Sequence, residues 1–263
     1  MRALIRTMLV LMAVVFSAAT HAEPSDKYWD NLQKSFFPGK QVEQGDFIHI
    51  TAPYRAESGA QVPFAFDIDY PMTPEKYVKN VSVIVDGNPV PLAAIFHFNP
   101  KSGKAAISTR IRLEVDAYVH VVAETSDGKF YVNAAGVRAS GGCGGTISGD
   151  REAAKKGSGK MKLAVKPVKA GEVAEAKLLI KHPMFTGLQR DLVSMGYWPA
   201  FFVNKIEVNF NGEPVMVADT FIGISEDPNI QFHFVPQQSG KLSVTIHDNE
   251  GGEFHQETDV QVL

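Results

Sequence analysis

The chain has 263 residues, a formal net charge of −3 and 44% hydrophobic residues, enough for one large or two ordinary domains with real cores. It shows no basic stripe, which argues against a nucleic-acid partner, and no apolar run reaches the roughly 20 residues a membrane-spanning helix needs. Its one cysteine, Cys143, excludes an internal disulfide and leaves a thiol that is free or paired elsewhere.

The N-terminus carries Arg2 and Arg6, an uncharged apolar run from Met8 to Ala19, and Thr20-His21-Ala22 before Glu23. That order of charge, apolar run and small residues predicts a cleavable signal peptide over residues 1–22, hence an exported protein. Ser25 is placed to cap a short amphipathic helix in which Tyr28, Trp29, Leu32 and Phe36 recur at helical spacing before Pro38-Gly39 ends it. Strands are then predicted at Phe47 to Ile50, Val62 to Ile68, Val81 to Val85, Ala105 to Leu113 and Tyr118 to Ala123. Each is rich in β-branched or aromatic residues and is bounded by turn residues such as Asp86-Gly87 and Asp127-Gly128.

The two halves repeat each other. Val81 to Val90 aligns with Ile206 to Val215, with apolar residues at the same alternate positions and the same Gly-X-Pro turn. Tyr118 to Val122 likewise corresponds to Leu242 to Ile246, and Val62 to Val173. About six or seven short strands in roughly 100 residues per copy suggest an immunoglobulin-like sandwich. The predicted fold is therefore all-β: two tandem immunoglobulin-like β-sandwiches, residues 23–139 with the N-terminal helix and 160–263, packed on each other and joined by a flexible Gly-rich linker, 140–159.

Within that linker stands Gly141-Gly142-Cys143-Gly144-Gly145. Gly- and Ser-rich chain behaves as flexible coil, so a tether of about 20 residues spans roughly 25 Å. The glycines remove neighbouring side chains and leave a thiol on a thin arm that could enter a narrow cleft. A thiolate can attack sulfur or hold a substrate covalently, and with only Arg138 nearby in sequence its pKa is expected near the ordinary value of about 8.5. No clustered Cys and His ligands accompany it, so neither a metal nor a cofactor is expected.

Other side chains give weaker signals. Asp67 and Asp69 point to one strand face and read as solvated; His97 and His120 lie in apolar strands, and His247 and His255 flank the last hairpin, without ligand spacing. His182-Pro183-Met184 and Tyr197-Trp198-Pro199 read as packing between the sandwiches, and Lys155-Lys156 as a solubilising part of the linker.

The Gly-Gly-Cys-Gly-Gly motif after a β-sandwich resembles the substrate-carrying motif of SoxY, the carrier subunit of bacterial sulfur oxidation. The second half resembles SoxZ through Ile180 to Asp191, Pro199-Ala-Phe-Phe202, Asn211-Gly212 and Gly223 to Ile230. The likeness is closest to fused SoxYZ-like carriers associated with quinoprotein dehydrogenases. It implies a non-enzymatic periplasmic carrier in which Cys143 is the covalent attachment site and Gly141, Gly142, Gly144 and Gly145 form the arm. In the family the cargo is thiosulfate, attached by a c-type cytochrome enzyme and processed by separate periplasmic enzymes. The implied partners are such redox or sulfur-processing enzymes, a quinoprotein dehydrogenase or c-type cytochrome among them. The alternative is a non-covalent accessory module that docks such a dehydrogenase or its cytochrome. In SoxY the motif ends the chain, whereas here it continues into a second domain.

Overall fold

The computed structural model describes residues 28–263; the signal peptide and the Ser25 cap lie outside the described residues. The chain opens on α1 (Trp29–Phe36), then β1 (Val42–Gln44), β2 (Ile48–Thr51), β3 (Val62–Ile68), β4 (Val78–Val85), β5 (Leu92–Phe98), β6 (Ala105–Ile111), β7 (Ala117–Thr125) and β8 (Phe130–Val137). The Gly-rich segment carries β9 (Thr146–Ile147) and α2 (Arg151–Lys155). The second half holds β10 (Met161–Val165), β11 (Ala174–Ile180), β12 (Arg190–Asp191), β13 (Val203–Phe210), β14 (Glu213–Thr220), β15 (Asn229–Phe234), β16 (Gly240–Asp248) and β17 (Glu253–Val260).

The strands follow from side-chain alternation. In β3, Val62, Phe64, Phe66 and Ile68 are buried while Pro63 is exposed and Ala65 and Asp67 are half-buried, the period-2 pattern of a strand with one face on a core. β11 alternates strictly, burying Ala174, Ala176, Leu178 and Ile180. Val81 to Val85 is buried throughout, so that strand is covered on both faces.

The chain is mostly β with one short N-terminal helix, as the sequence predicts. One sheet has nine strands in the order β1-β8-β7-β4-β5-β14-β13-β16-β17, the other six in the order β10-β11-β15-β6-β3-β2. Both orders read as pseudo-palindromes: β4 with β13, β7 with β16 and β3 with β11 are the pairs the internal repeat aligns. The halves do not simply pack as separate sandwiches. They join edge to edge in both sheets, through β5 and β14 from Ala94↔Thr220 to Phe98↔Met216 and through β6 and β15 at Ser108↔Gln231. An unpaired edge exposes a row of backbone donors and acceptors, and this pairing covers four such edges. One apolar cluster runs across the join, with Phe64, Phe66 and Phe96 from the first half and Phe232, Phe234 and Val244 from the second.

Helix α1 has no fully buried residue and no side-chain cap. It is held by Trp29, whose ring stacks on His120 of β7 with centroids 4.1 Å apart.

Candidate functional site

The Gly-Gly-Cys-Gly-Gly loop follows β8 and packs against the segment just after β6. The Leu113 N–H donates to Gly59 O at 2.8 Å, Gly142 N–H to Leu113 O at 3.0 Å, and Gly141 N–H to Glu114 O at 2.9 Å. These backbones approach too closely for side chains: a Cβ on Gly142 would sit 2.1 Å from Gly59 O, and one on Gly59 2.4 Å from Leu113 O. Gly141 and Gly145 have φ of 70° and 98°, the left-handed region that glycine enters without a Cβ penalty. The motif's glycines thus let the loop pack as well as thin it.

Cys143 is 2% exposed. Its N–H and that of Gly144 both donate to Glu114 Oε2, at 2.7 and 3.0 Å, and its carbonyl accepts from Thr186 Oγ1 at 2.6 Å. Arg112, also buried, donates from Nη1 to Gly142 O at 3.0 Å, from Nη2 to Met184 O at 3.2 Å and from Nε to Ile224 O at 3.4 Å. One guanidinium therefore ties the cysteine loop to two segments of the second half. Burial pulls its pKa below the ordinary value, partly offset by the Cys143 and Glu226 charges.

The Cys143 thiol is pushed up to about 11, first by burial and then by the Glu114 carboxylate, with Arg112 opposing. An ordinary thiol pKa is the expectation this corrects. Sequence proximity suggested Arg138, but that side chain pairs with Asp116 at 3.1 Å, and the groups facing the thiol come from residues 112 and 114. In this conformation the sulfur is a neutral, shielded thiol at neutral pH, and it makes no hydrogen bond among the described residues.

The remainder of the segment is anchored too, unlike the free coil its composition suggests. β9 pairs in parallel with β12, Thr146 opposite Arg190 and Ile147 opposite Asp191, and Ile147 packs on Phe185, Trp198 and Phe201. Asp150 caps α2 by accepting from the Glu152 and Ala153 N–H groups. Arg151 and Lys155 both bond Glu250, the lysine at 2.5 Å, and Lys155 Nζ lies 4.5 Å from the Phe201 ring centroid. Lys155 is thus part of a clasp rather than a merely solubilising group. Composition could not show this, because the backbone and two charged side chains make the contacts.

His182-Pro183-Met184 and Trp198 line the second-half side of this arrangement. His182 is fully buried, its Nδ1 accepts from the Met184 N–H at 3.2 Å, and its ring lies 4.2 Å from Phe201. Nε2 has no hydrogen-bond partner among the described residues, and burial pushes the His182 pKa down to about 4. Tyr197, by contrast, is exposed and lines a cleft of about 350 Å³ with Pro89, Glu114, Gly144, Gly187 and Leu188. Of the weaker candidates, Asp67 pairs with Lys104 at 2.6 Å, His97 bonds Asn80 and Asp219, and His247 bonds Glu207. Among the described residues no group of three or more His, Cys, Asp or Glu side chains is placed to hold a metal.

Sequence reasoning missed Arg112, Glu114 and Thr186. Arg112 leaves a detectable trace, a cation between Ile111 and Leu113 at the end of an apolar strand. Glu114 and Thr186 leave none, since their task is to bond the main chain of a loop distant in sequence.

Two family models match the chain. "Sulfur oxidation protein SoxY" matches residues 33–143, ending at the cysteine, and "Sulphur oxidation protein SoxZ" matches 161–259. Among solved structures, the sulfur carrier protein SoxY from Chlorobium limicola f thiosulfatophilum is 27% identical with a TM-score of 0.37, the match covering 43% of this chain and 91% of that one. A putative superoxide reductase from Thermotoga maritima is 14% identical with a TM-score of 0.33, covering 38% of this chain and 95% of that one. No curated protein matches the sequence.

Proposed function

The chain is a fused SoxYZ-like protein, a non-catalytic carrier of the sulfur-oxidation type, and we propose that it works in the periplasm and holds a sulfur-containing cargo covalently on Cys143. The observation that supports this most is how the loop is fastened. Glu114, Thr186 and Arg112 all grip main-chain atoms around Cys143, so the sulfur has no bonding duty in the fold. Such a loop can leave its seat and return without the side chain being consumed by structure.

Loading would convert the thiol to a disulfide-type adduct. The Cys143 S–H bond breaks, an S–S bond to the cargo forms, and one proton and two electrons leave for an oxidant. The partners we assign are periplasmic redox or sulfur-processing enzymes that accept those electrons and act on the adduct, a quinoprotein dehydrogenase or its c-type cytochrome among them. The arm of Gly141, Gly142, Gly144 and Gly145 presents the sulfur to them as a loop held at both ends.

A second reading is favoured by one observation, the 2% exposure of Cys143. In it the protein is a non-covalent accessory module that docks a quinoprotein dehydrogenase or its cytochrome, with the loop purely structural. Cys143→Ser separates the two. The carrier reading predicts a variant that folds and melts like the parent yet loses sulfur-dependent growth or dehydrogenase support, whereas retained function favours the docking module.

A further inference from the structure

Glu114 occupies an unusual place for a carboxylate beside a carrier thiol. Its Oε2 accepts the N–H groups of both Cys143 and Gly144, so it secures the loop only through the backbone. The same carboxylate, bonded to the N–H of Cys143, acts on a thiol that is almost wholly removed from water and raises its pKa. The one cation at hand, Arg112, donates to the carbonyls of Gly142, Met184 and Ile224. Those carbonyls hold three of its donor directions on the protein.

We propose that Glu114 distinguishes the empty arm from the loaded one, seating the loop when Cys143 is a neutral thiol and expelling it when the sulfur carries an anionic group. This inference rests on the carrier reading for its biological use, although its physical content does not depend on it. A neutral thiol fits the seat because burial disfavours only charge. An anionic adduct would have to be desolvated beside a carboxylate, and like charges at close range in a shielded site repel strongly. The weakest bonds are then those that Glu114 itself makes to the Cys143 and Gly144 N–H groups. The pKa of the unloaded thiol moves in the same sense, raised by burial and by Glu114 despite Arg112. An exit lies next to the seat, since the 350 Å³ cleft is lined by Glu114 and Gly144 themselves. The empty carrier is thereby kept inert, while the loaded carrier is presented.

The test uses the purified full chain labelled at Cys143 with two thiosulfonate reagents. The thiolate attacks the sulfenyl sulfur, an S–S bond forms, and methanesulfinate leaves, so no further oxidant is needed. Sulfonatoethyl methanethiosulfonate leaves an anionic group and hydroxyethyl methanethiosulfonate a neutral one of comparable reach. Amide hydrogen exchange over residues 141–145 is expected to be at least about tenfold faster in the anionic adduct than in the neutral one, the ratio that one pKa unit of charge interaction gives. In Glu114→Gln that ratio is expected to fall towards one. In Thr186→Val, which removes a bond to the same loop but no charge, exchange should quicken in both adducts with the ratio kept. Equal exchange of the two adducts in the parent chain, or an unchanged ratio in Glu114→Gln, overturns the proposal. Neither result bears on whether native Cys143 is loaded, which is decided separately by the mass of the native protein.

Discussion

At Cys143 the structure turns a chemical question into a conformational one. A thiol with a pKa of about 11 is almost wholly protonated at neutral pH, so alkylation by iodoacetamide is expected to be slow in the folded chain and to rise towards the rate of the unfolded chain in denaturant. Gly142→Ala is expected to raise the folded rate by tenfold or more, because a Cβ 2.1 Å from Gly59 O cannot be accommodated without moving the loop. A rate equal to the parent's would show that the loop is not seated through that contact. His182 gives a separate, stability-based test. Its folded pKa of about 4 lies below the ordinary 6.5, so the unfolded chain binds more protons between those values and stability falls as pH drops through that window. The loss should reach about 3 kcal/mol by pH 4, from about 1.4 kcal/mol per unit, and be much smaller in His182→Gln; denaturant midpoints measured across that range decide it.

Among the elements, the Gly-rich segment shows best what sequence could and could not reveal. The sequence marks Gly141 to Gly145 and their cysteine as an arm that presents a thiol, whereas the structure buries that thiol; the motif's position after β8 follows from the strand pattern. The seat was hidden because it is assembled from Gly59, Glu114 and Thr186, which no local pattern groups together. The clasp was hidden for a similar reason: Arg151 and Lys155 look like linker charges until Glu250 is brought beside them. Because those pairs lie at the surface, each is worth about 0.2–1 kcal/mol. Glu250→Gln is therefore expected to speed trypsin cleavage at Arg151, Lys155 or Lys156 several-fold while leaving the denaturant midpoint nearly unchanged. A large drop in global stability would contradict the view of α2 as a latch on an otherwise complete fold. The strands were more legible: Val62 to Ile68 is β3 to the residue, since its alternation of large apolar residues with Pro63, Ala65 and Asp67 is a local property.

Across the whole molecule the internal repeat announced two related halves, but periodicity cannot say how halves meet. They meet as one pair of continuous sheets, which makes the join part of the core. Unfolding should accordingly be a single calorimetric transition, and residues 23–139 or 160–263 expressed alone should aggregate through the exposed edges of β5 and β6 or β14 and β15. Ala218, fully buried and opposite Phe96 at the join, supplies a point test. Ala218→Asp is expected to destabilise the entire chain by about 3 kcal/mol or more, as a buried unpaired charge does, and two resolved transitions would contradict the shared core. The join also brings both halves to the cysteine loop, since Arg112 bonds the Gly142 and Met184 carbonyls and Thr186 bonds that of Cys143.

The central claim, that Cys143 is a loaded thiol, is tested most directly by intact-mass analysis of the protein taken from its native compartment under sulfur-oxidising growth. The account predicts a fraction of chains heavier by sulfur or sulfonate, an increment that disappears on reduction and is absent from Cys143→Ser. A parent chain that is a plain thiol under every growth condition would contradict it.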